Sequence, residues 1–337
     1  MRGRQKIRIS LVNFSQAPVH ERHLEALKKA CNENHKFELT TQNKADVIYF
    51  QSSSIKNLPL YVKNKIDKKA QVLYLHEYMS VKDRLKKHDS IIYALKLAIG
   101  HAIDTFFTSF LITSSQQQKE KLEKSWLQIF NPKILIKPLT FPDIPKMQKF
   151  RSSKVLKSND KINILFIGRS NPDQRMLNQF FHLSSKLEFC NFMILTKNAL
   201  ADVPPTVSVI RSGELFSEDE RVNALQIADV VWTPYSVPYN QSGVVADALC
   251  HGCALVISQY ESDQDLKDSK VAFTVPNNPQ HFPTDEFIRW LEEFHHSAAS
   301  YRDDARKLFL NKHSVRADHV FLDQLAKVFS RAKRRIE

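Results

Sequence analysis

Glycine is the residue this sequence most lacks. Of 337 residues only six are glycine (Gly3, Gly100, Gly168, Gly213, Gly243 and Gly252), where ordinary usage of ~7% would give roughly two dozen. The spacings of a Walker loop or of G-x-G-x-x-G are therefore absent. Cysteine is scarce too. Cys31, Cys190, Cys250 and Cys253 are scattered through a long chain, so a disulfide-stapled scaffold is excluded and a reducing, cytoplasmic compartment is expected. Cys250-His251-Gly252-Cys253 has the C-x-x-C spacing of zinc and thiol-redox sites. With no second pair, and placed at a helix-to-strand corner, it reads as packed thiols flanking a turn, and no metal is expected. Long apolar runs are missing as well. The best stretch, Ile91 to Thr113, carries Lys96, His101 and Asp104, too costly a set for a lipid-spanning helix. Met1-Arg2-Gly3-Arg4-Gln5-Lys6 does not lead into the apolar core of a secretory signal.

What is present is an ordinary globular balance, 42% apolar and 25% charged, on a chain long enough for two domains with real cores. Lys+Arg 49 against Asp+Glu 36 gives +13, which favours anionic partners: phosphates, nucleic acid or an anionic membrane face. No DNA or RNA module and no interleaving of basic with aromatic residues is visible, so nucleic acid is not expected.

Along the chain, strand-like runs alternate with helix-like ones. Lys6–Val12 is followed by a helical stretch, His20–Cys31. Strands are expected at 36–40, 46–50, 71–75, 110–113 and 134–137, with helices near 58–69, 81–104 and 115–126. In the long helix, Ile91, Leu95, Ile99, Ala102, Ile103 and Phe106 form an apolar stripe expected to face the core, with Lys96, Gly100 and Asp104 opposite. Prolines near 142–145 and a polar basic stretch then read as a linker. A second strand–helix series runs from Ile162–Gly168 to 271–275, and a helical tail follows from Asp285. The fold class is α/β, two Rossmann-like doubly wound parallel-sheet domains facing a cleft, with a helical C-terminal tail. The expected division is 1–145, a linker at 146–161, a domain at 162–315 and a final helix at 316–337, with return of that helix to the first domain as one expectation.

Four of the six glycines (Gly168, Gly213, Gly243, Gly252) fall in the second half, each at a predicted corner, and such corners admit a close phosphate. The sharpest stretch runs from Pro234 to Gly252. A polar loop delivers Ser242 and Gly243 to a helix start whose backbone N–H groups and dipole can hold a diphosphate, unless Ser242 simply caps the helix. Asp247, about one turn on, is placed to accept hydrogen bonds from sugar hydroxyls.

Asp229–Ser258 resembles the donor-binding segment of GT-B glycosyltransferases of the family 4-like, glycogen synthase-like kind. Within it, Asp247-Ala248-Leu249-Cys250-His251-Gly252-Cys253-Ala254-Leu255-Val256 is similar to their Glu-Ala-x-Ala-x-Gly-x-Pro-Val-Val run, and Ile164-Leu165-Phe166-Ile167-Gly168-Arg169 to the strand that opens their donor domain. The resemblance implies transfer of a sugar from a nucleotide-diphosphate donor, UDP- or GDP-linked, to a glycan, lipid-linked or protein acceptor, with retention and without a bound metal or other cofactor. Basic side chains then neutralise the leaving diphosphate. Arg169 matches the family's phosphate-contacting arginine. Its lysine falls at Gln174, beside Arg175, and its first motif glutamate falls at Tyr239, within Tyr239-Asn240-Gln241-Ser242-Gly243. The resemblance thus assigns Arg169, Arg175, Gln241, Ser242 and Gly243 to the donor phosphates, and Tyr239 and Asp247 to ribose or sugar. It brings Arg211 and Glu214 near a base-recognition loop. His76 and Glu77, at a strand's carboxyl end, are the catalytic candidates on the acceptor side, or else a capping histidine and a turn.

Lys63, Lys65, Lys68 and Lys69, then Lys82, Arg84, Lys86 and Lys87, gather positive charge in the first half beside the apolar stripe. This pairing suits peripheral contact with the anionic inner face of a membrane. The rival to an enzyme is a catalytically silent glycosyltransferase-like adaptor, motivated by Gln174 and Tyr239.

Overall fold

The computed structural model describes residues 6–13, 18–51, 58–75, 91–131, 133–138, 140–141, 161–168, 176–235, 242–261 and 263–333. Two compact units emerge, Met1–Asp143 with Asn311–Glu337, and Ile144–Leu310. The linker expected at 146–161 lies outside the described residues but for Lys161.

The first unit holds β1 (Ile7–Val12), α1 (Pro18–Glu33), β2 (Phe37–Leu39), β3 (Val47–Phe50), α2 (Leu58–Ile66), β4 (Ala70–Tyr74), α3 (Ile91–Phe107), β5 (Phe110–Thr113), α4 (Gln116–Glu123) and β6 (Lys133–Ile136). Its sheet is parallel, in the order β2-β1-β3-β4-β5-β6. Central strands β3, β4 and β5 are apolar along nearly their whole length because helices cover both faces.

The second unit holds β7 (Ile162–Gly168), α5 (Leu177–Ser184), β8 (Cys190–Thr196), β9 (Val207–Arg211), α6 (Glu218–Ile227), β10 (Val230–Trp232), α7 (Gly243–Cys250), β11 (Ala254–Ser258), α8 (Gln264–Lys267), β12 (Ala272–Val275) and most of α9 (Thr284–Lys312). Its parallel sheet runs β12-β11-β10-β7-β8-β9. Counted from β7 this is the dinucleotide-fold order 3-2-1-4-5-6. Trp232, fully buried, centres the core, with the rings of Phe180 and Phe282 at 5.6 and 5.7 Å. Such aromatic pairs add about 0.5–1.5 kcal/mol each beyond their area burial.

The last helix, α10 (Val315–Lys333), belongs to the first unit and packs on α1. Lys36 Nζ pairs with Asp323 at 2.8 Å on the surface. Beneath it, Lys137 Nζ, just past β6, meets Asp318 of α10 at 2.6 Å, with Thr140 Oγ1 at 2.9 Å and His23 Nε2 of α1 at 3.0 Å. The Tyr74 hydroxyl donates to the Lys137 carbonyl at 3.0 Å. Sequence patterning marks neither Lys137 nor His23, since an isolated lysine or histidine normally reads as surface.

The apolar stripe expected on α3 needs correction. Ile99 is 56% exposed and Phe106 51%, whereas His101, Asp104 and Thr105 are buried. Burial of Thr105 is tolerated because its hydroxyl donates back to the His101 carbonyl one turn earlier, at 2.6 Å. Ala102 and Phe107 supply the apolar packing.

Candidate functional site

All strands of the second sheet point the same way, so their carboxyl ends share one edge, and the strand order reverses between β7 and β10. Open α/β sheets bind ligands outside such a reversal point. Gly168 closes β7 there with φ +154°, a conformation other residues rarely adopt.

Beyond β10 the chain is anchored before it departs. The Thr233 hydroxyl and N–H both donate to the Val256 carbonyl, at 2.9 and 2.8 Å, and Tyr235 is buried. It returns at Ser242, whose extended backbone (φ −90°, ψ 129°) opens α7. The Ser242 side chain does not cap the helix; its oxygen lies 3.5 Å from the Tyr235 hydroxyl. The first backbone bonds to the Ser242 carbonyl come from Val245 and Ala246, at 3.0 and 3.3 Å. The Gly243 and Val244 N–H groups precede any partner an α-helix can supply, and at Gly243 no side chain covers them. They leave the positive end of α7 at the carboxyl edge of the sheet, beside the strand-order reversal. Ser242 and Gly243 thus share this edge with the end of β7.

Asp247, which the resemblance assigns to ribose or sugar, has a partner within the protein. It is buried and ion-paired with Arg221 of α6, which also donates through Nε to Glu218 at 2.9 Å. Burial works against the Arg221 charge, and Glu218 and Asp247 overcome it, so its pKa stands above the ordinary value. Arg221 was not legible as a partner, since 26 positions separate it from Asp247 and only the packing of α6 on the sheet joins them.

Arg211 and Glu214 are likewise engaged, with each other and with α6. Arg211 Nη1 donates to Glu214 at 2.8 Å and Nε to Glu220 at 2.7 Å. Glu220 completes a capping box with Ser217 at the start of α6, and the Ser217 N–H, foremost, holds its carboxyl below the ordinary range. Any contact from Arg211 to a base would compete with two carboxylates.

Gly252 is not a phosphate corner. It takes φ +73° at the opposite end of α7, where its N–H bonds the Leu249 carbonyl at 3.0 Å and the Cys253 N–H that of Ala248 at 2.9 Å, a left-handed helix stop. An added Cβ would lie 3.3 Å from Arg306 Nε. Cys253 is buried with its thiol 3.4 Å from the Ala228 carbonyl, and all four cysteines are unpaired to one another. Among the described residues, no three His, Cys, Asp or Glu side chains gather as a metal site, and no helix is long and apolar enough to cross a membrane. His76 and Glu77, which follow Leu75 past the end of β4, lie outside the described residues, as do Arg169, Arg175, Tyr239 and Gln241.

No protein-family model and no curated protein matches this chain. Solved structures do. Anabaena HepE in complex with UDP is similar over 97% of this chain and 100% of its own, with a TM-score of 0.64 at 14% identity. A glycosyltransferase from Rickettsia africae covers 97% of this chain and 99% of its own, with a TM-score of 0.62 at 13% identity. The UDP-GlcNAc 2-epimerase of Neisseria meningitidis bound to UDP-GlcNAc covers 95% of this chain and 100% of its own, with a TM-score of 0.54 at 10% identity. With two six-stranded parallel sheets and these neighbours, the chain has the GT-B fold.

Proposed function

We propose that the protein is a nucleotide-sugar-dependent glycosyltransferase, moving a sugar from a UDP- or GDP-linked donor to a glycan, lipid-linked or protein acceptor. The observation that carries this reading is the uncapped start of α7 at Ser242–Gly243, set at the strand-order reversal of a sheet whose fold is shared with a UDP complex. A diphosphate matches that site in charge and in hydrogen-bonding demand. The leaving diphosphate is neutralised by the α7 N–H groups with Arg169 and Arg175, in place of a metal. His76 and Glu77 serve the acceptor side, and transfer proceeds with retention. The reading further places the protein in the cytoplasm, with its basic first half against the anionic inner face of a membrane.

Titration calorimetry with UDP and GDP, on wild type and Arg169→Ala, tests the donor site. Binding of either nucleotide that the substitution abolishes supports it; absence of binding by both sinks it.

A second reading has its own observation. Arg221 holds the Asp247 carboxylate that the resemblance gives to the sugar, which favours a silent adaptor. The same fold also carries an epimerase, and fold alone does not choose a chemistry. Product analysis after incubation with UDP-sugars separates these: transfer or donor hydrolysis marks the transferase, a changed sugar marks the epimerase, and nucleotide binding without turnover marks the adaptor.

A further inference from the structure

A groove of about 1180 Å³ runs along the amino-terminal edge of the first sheet, opposite the strand carboxyl ends. The first residues of β1, β4 and β5 and the residues leading into β3 wall it, with the ends of α3 and α10. Helices α2 and α3 terminate here, and their carbonyl ends attract cations. Part of the basic charge is consumed by backbone carbonyls, at the end of α3 and in the turn before β3. Lys65 Nζ donates to the Phe106 carbonyl at 3.1 Å, and Lys69 Nζ to that of Gln42 at 2.7 Å. The groove's acids are matched as well, Asp46 by Arg8 at 2.8 Å and Asp67 by Lys69 at 3.8 Å.

Three lysines are left over. Lys6, Lys44 and Lys68 line the groove, are exposed, and form no ion pair or side-chain hydrogen bond with any described residue. Helix capping does not explain them. Lys68 also sits at φ +54° in a left-handed stop to α2, its N–H bonded to the Lys65 carbonyl at 3.2 Å and the Lys69 N–H to that of Asn64 at 2.9 Å. Glycine is the residue that position favours, so the chain keeps a cation there against backbone preference. Beside these charges stand exposed apolar side chains. Ile66, next to Lys65, is 74% exposed; Phe106 lines the groove; Ile129 is 73% exposed, next to Phe130, whose ring lies 5.8 Å from that of Phe106.

Unmatched ammonium groups beside exposed apolar groups are complementary to an anionic amphiphile. An acidic protein surface would match the lysines and leave Ile66 and Ile129 unexplained. We propose that this edge docks on an anionic bilayer, with phospholipid headgroup phosphates in the groove among Lys6, Lys44 and Lys68 and with Ile66, Phe106 and Ile129 in the interfacial layer. This rests on the membrane reading given above, for which it names the site, and is independent of the nucleotide-sugar reading. It turns the carboxyl edge of that sheet away from the bilayer by about 20 Å, the length of a six-residue strand such as β1.

Co-sedimentation of the full chain with phosphatidylcholine vesicles, with and without phosphatidylglycerol, tests the proposal. Binding is expected only with the anionic lipid. Each lysine near such a surface contributes about fivefold, so the triple variant Lys6→Gln, Lys44→Gln, Lys68→Gln should bind on the order of 100-fold more weakly. Arginine at the same three positions should retain binding, as should Lys121→Gln, Lys186→Gln, Lys197→Gln, which removes equal charge elsewhere. Ile129→Ser should weaken binding with circular dichroism unchanged. Failure to bind either vesicle overturns the site and the membrane reading together. Binding that survives the groove substitutions, or falls equally with the control set, overturns the site alone. Capture of polyglutamate but not of vesicles assigns the groove to an acidic protein and likewise overturns it.

Discussion

Lys137 Nζ lies 2.6 Å from Asp318 Oδ1, and solvent reaches neither side chain. The pair joins the end of β6 to the last helix, across 181 positions of sequence, so α10 is held to the first unit by a contact no local pattern encodes. Burial pushes the Asp318 carboxyl up and the Lys137 amine down, each opposed by the charge of the other.

Removing one partner is therefore expected to cost more than removing both. Lys137→Met should destabilise by about 3–5 kcal/mol, because it strands a buried carboxyl, while Lys137→Met with Asp318→Leu should recover most of that loss. Urea unfolding of the single and double variants measures the difference. A double variant no more stable than the single one would show that packing around Asp318, and not charge, is what matters there.

Ser242→Asp separates helix stability from ligand binding. An aspartate at this N-cap supplies the side-chain cap that Ser242 does not make, worth about 1 kcal/mol of stability. The same carboxylate occupies the N–H groups and repels a phosphate, so UDP affinity should fall on the order of tenfold. Thermal unfolding and calorimetry read the two effects, and unchanged UDP affinity would remove α7 from the donor site.

Lys68→Gly relieves the left-handed strain at the end of α2, where Lys68 has φ +54°. Stability should rise by about 0.5–1 kcal/mol, measured by denaturant midpoint. Vesicle binding should fall in the same variant, since the groove loses a cation. A stability gain with no loss of vesicle binding would detach Lys68 from the membrane site.

Burial pushes the thiols of Cys31 and Cys190 up to about 12. Near pH 8 their thiolate forms are negligible, so a thiol reagent should modify the half-exposed Cys250 first and reach the buried three only on unfolding. Raised folded values mean stability from these thiols that is full below about pH 9, the ordinary thiol value, and lost as pH rises toward 12. Mass spectrometry of the modified protein, with unfolding midpoints at alkaline pH, checks both parts. Early labelling of Cys31 would contradict its burial.

Periodic features carried over from sequence to structure nearly residue for residue. Ile162–Gly168, Val207–Arg211, Glu218–Ile227 and Ala254–Ser258 form as their patterns dictate, since each is a local run bounded by turn residues. Amphipathicity failed on α3, where hydropathy puts Asp104 outside and Ile99 inside while the fold does the reverse at both. A period identifies a helix but not the chemistry of the surface it will meet. The candidate site was half legible. The Ser242–Gly243 helix start follows from residue types in order along the chain, whereas the capture of Asp247 by Arg221 and of Arg211 by Glu214 and Glu220 depends on α6 arriving beside them.

By itself the sequence determined the alternation of strands and helices, the two-sheet α/β architecture, the turn at Gly252 and the helix start at Ser242, because each depends on neighbours within a few residues. Tertiary structure alone decided which glycine lies at the carboxyl edge of the sheet and which closes a helix, which carboxylates pair with arginines, and where Lys137 finds its counter-ion. Those outcomes are set by contacts between residues far apart in the chain, and a buried charge is tolerated only where the fold delivers its partner.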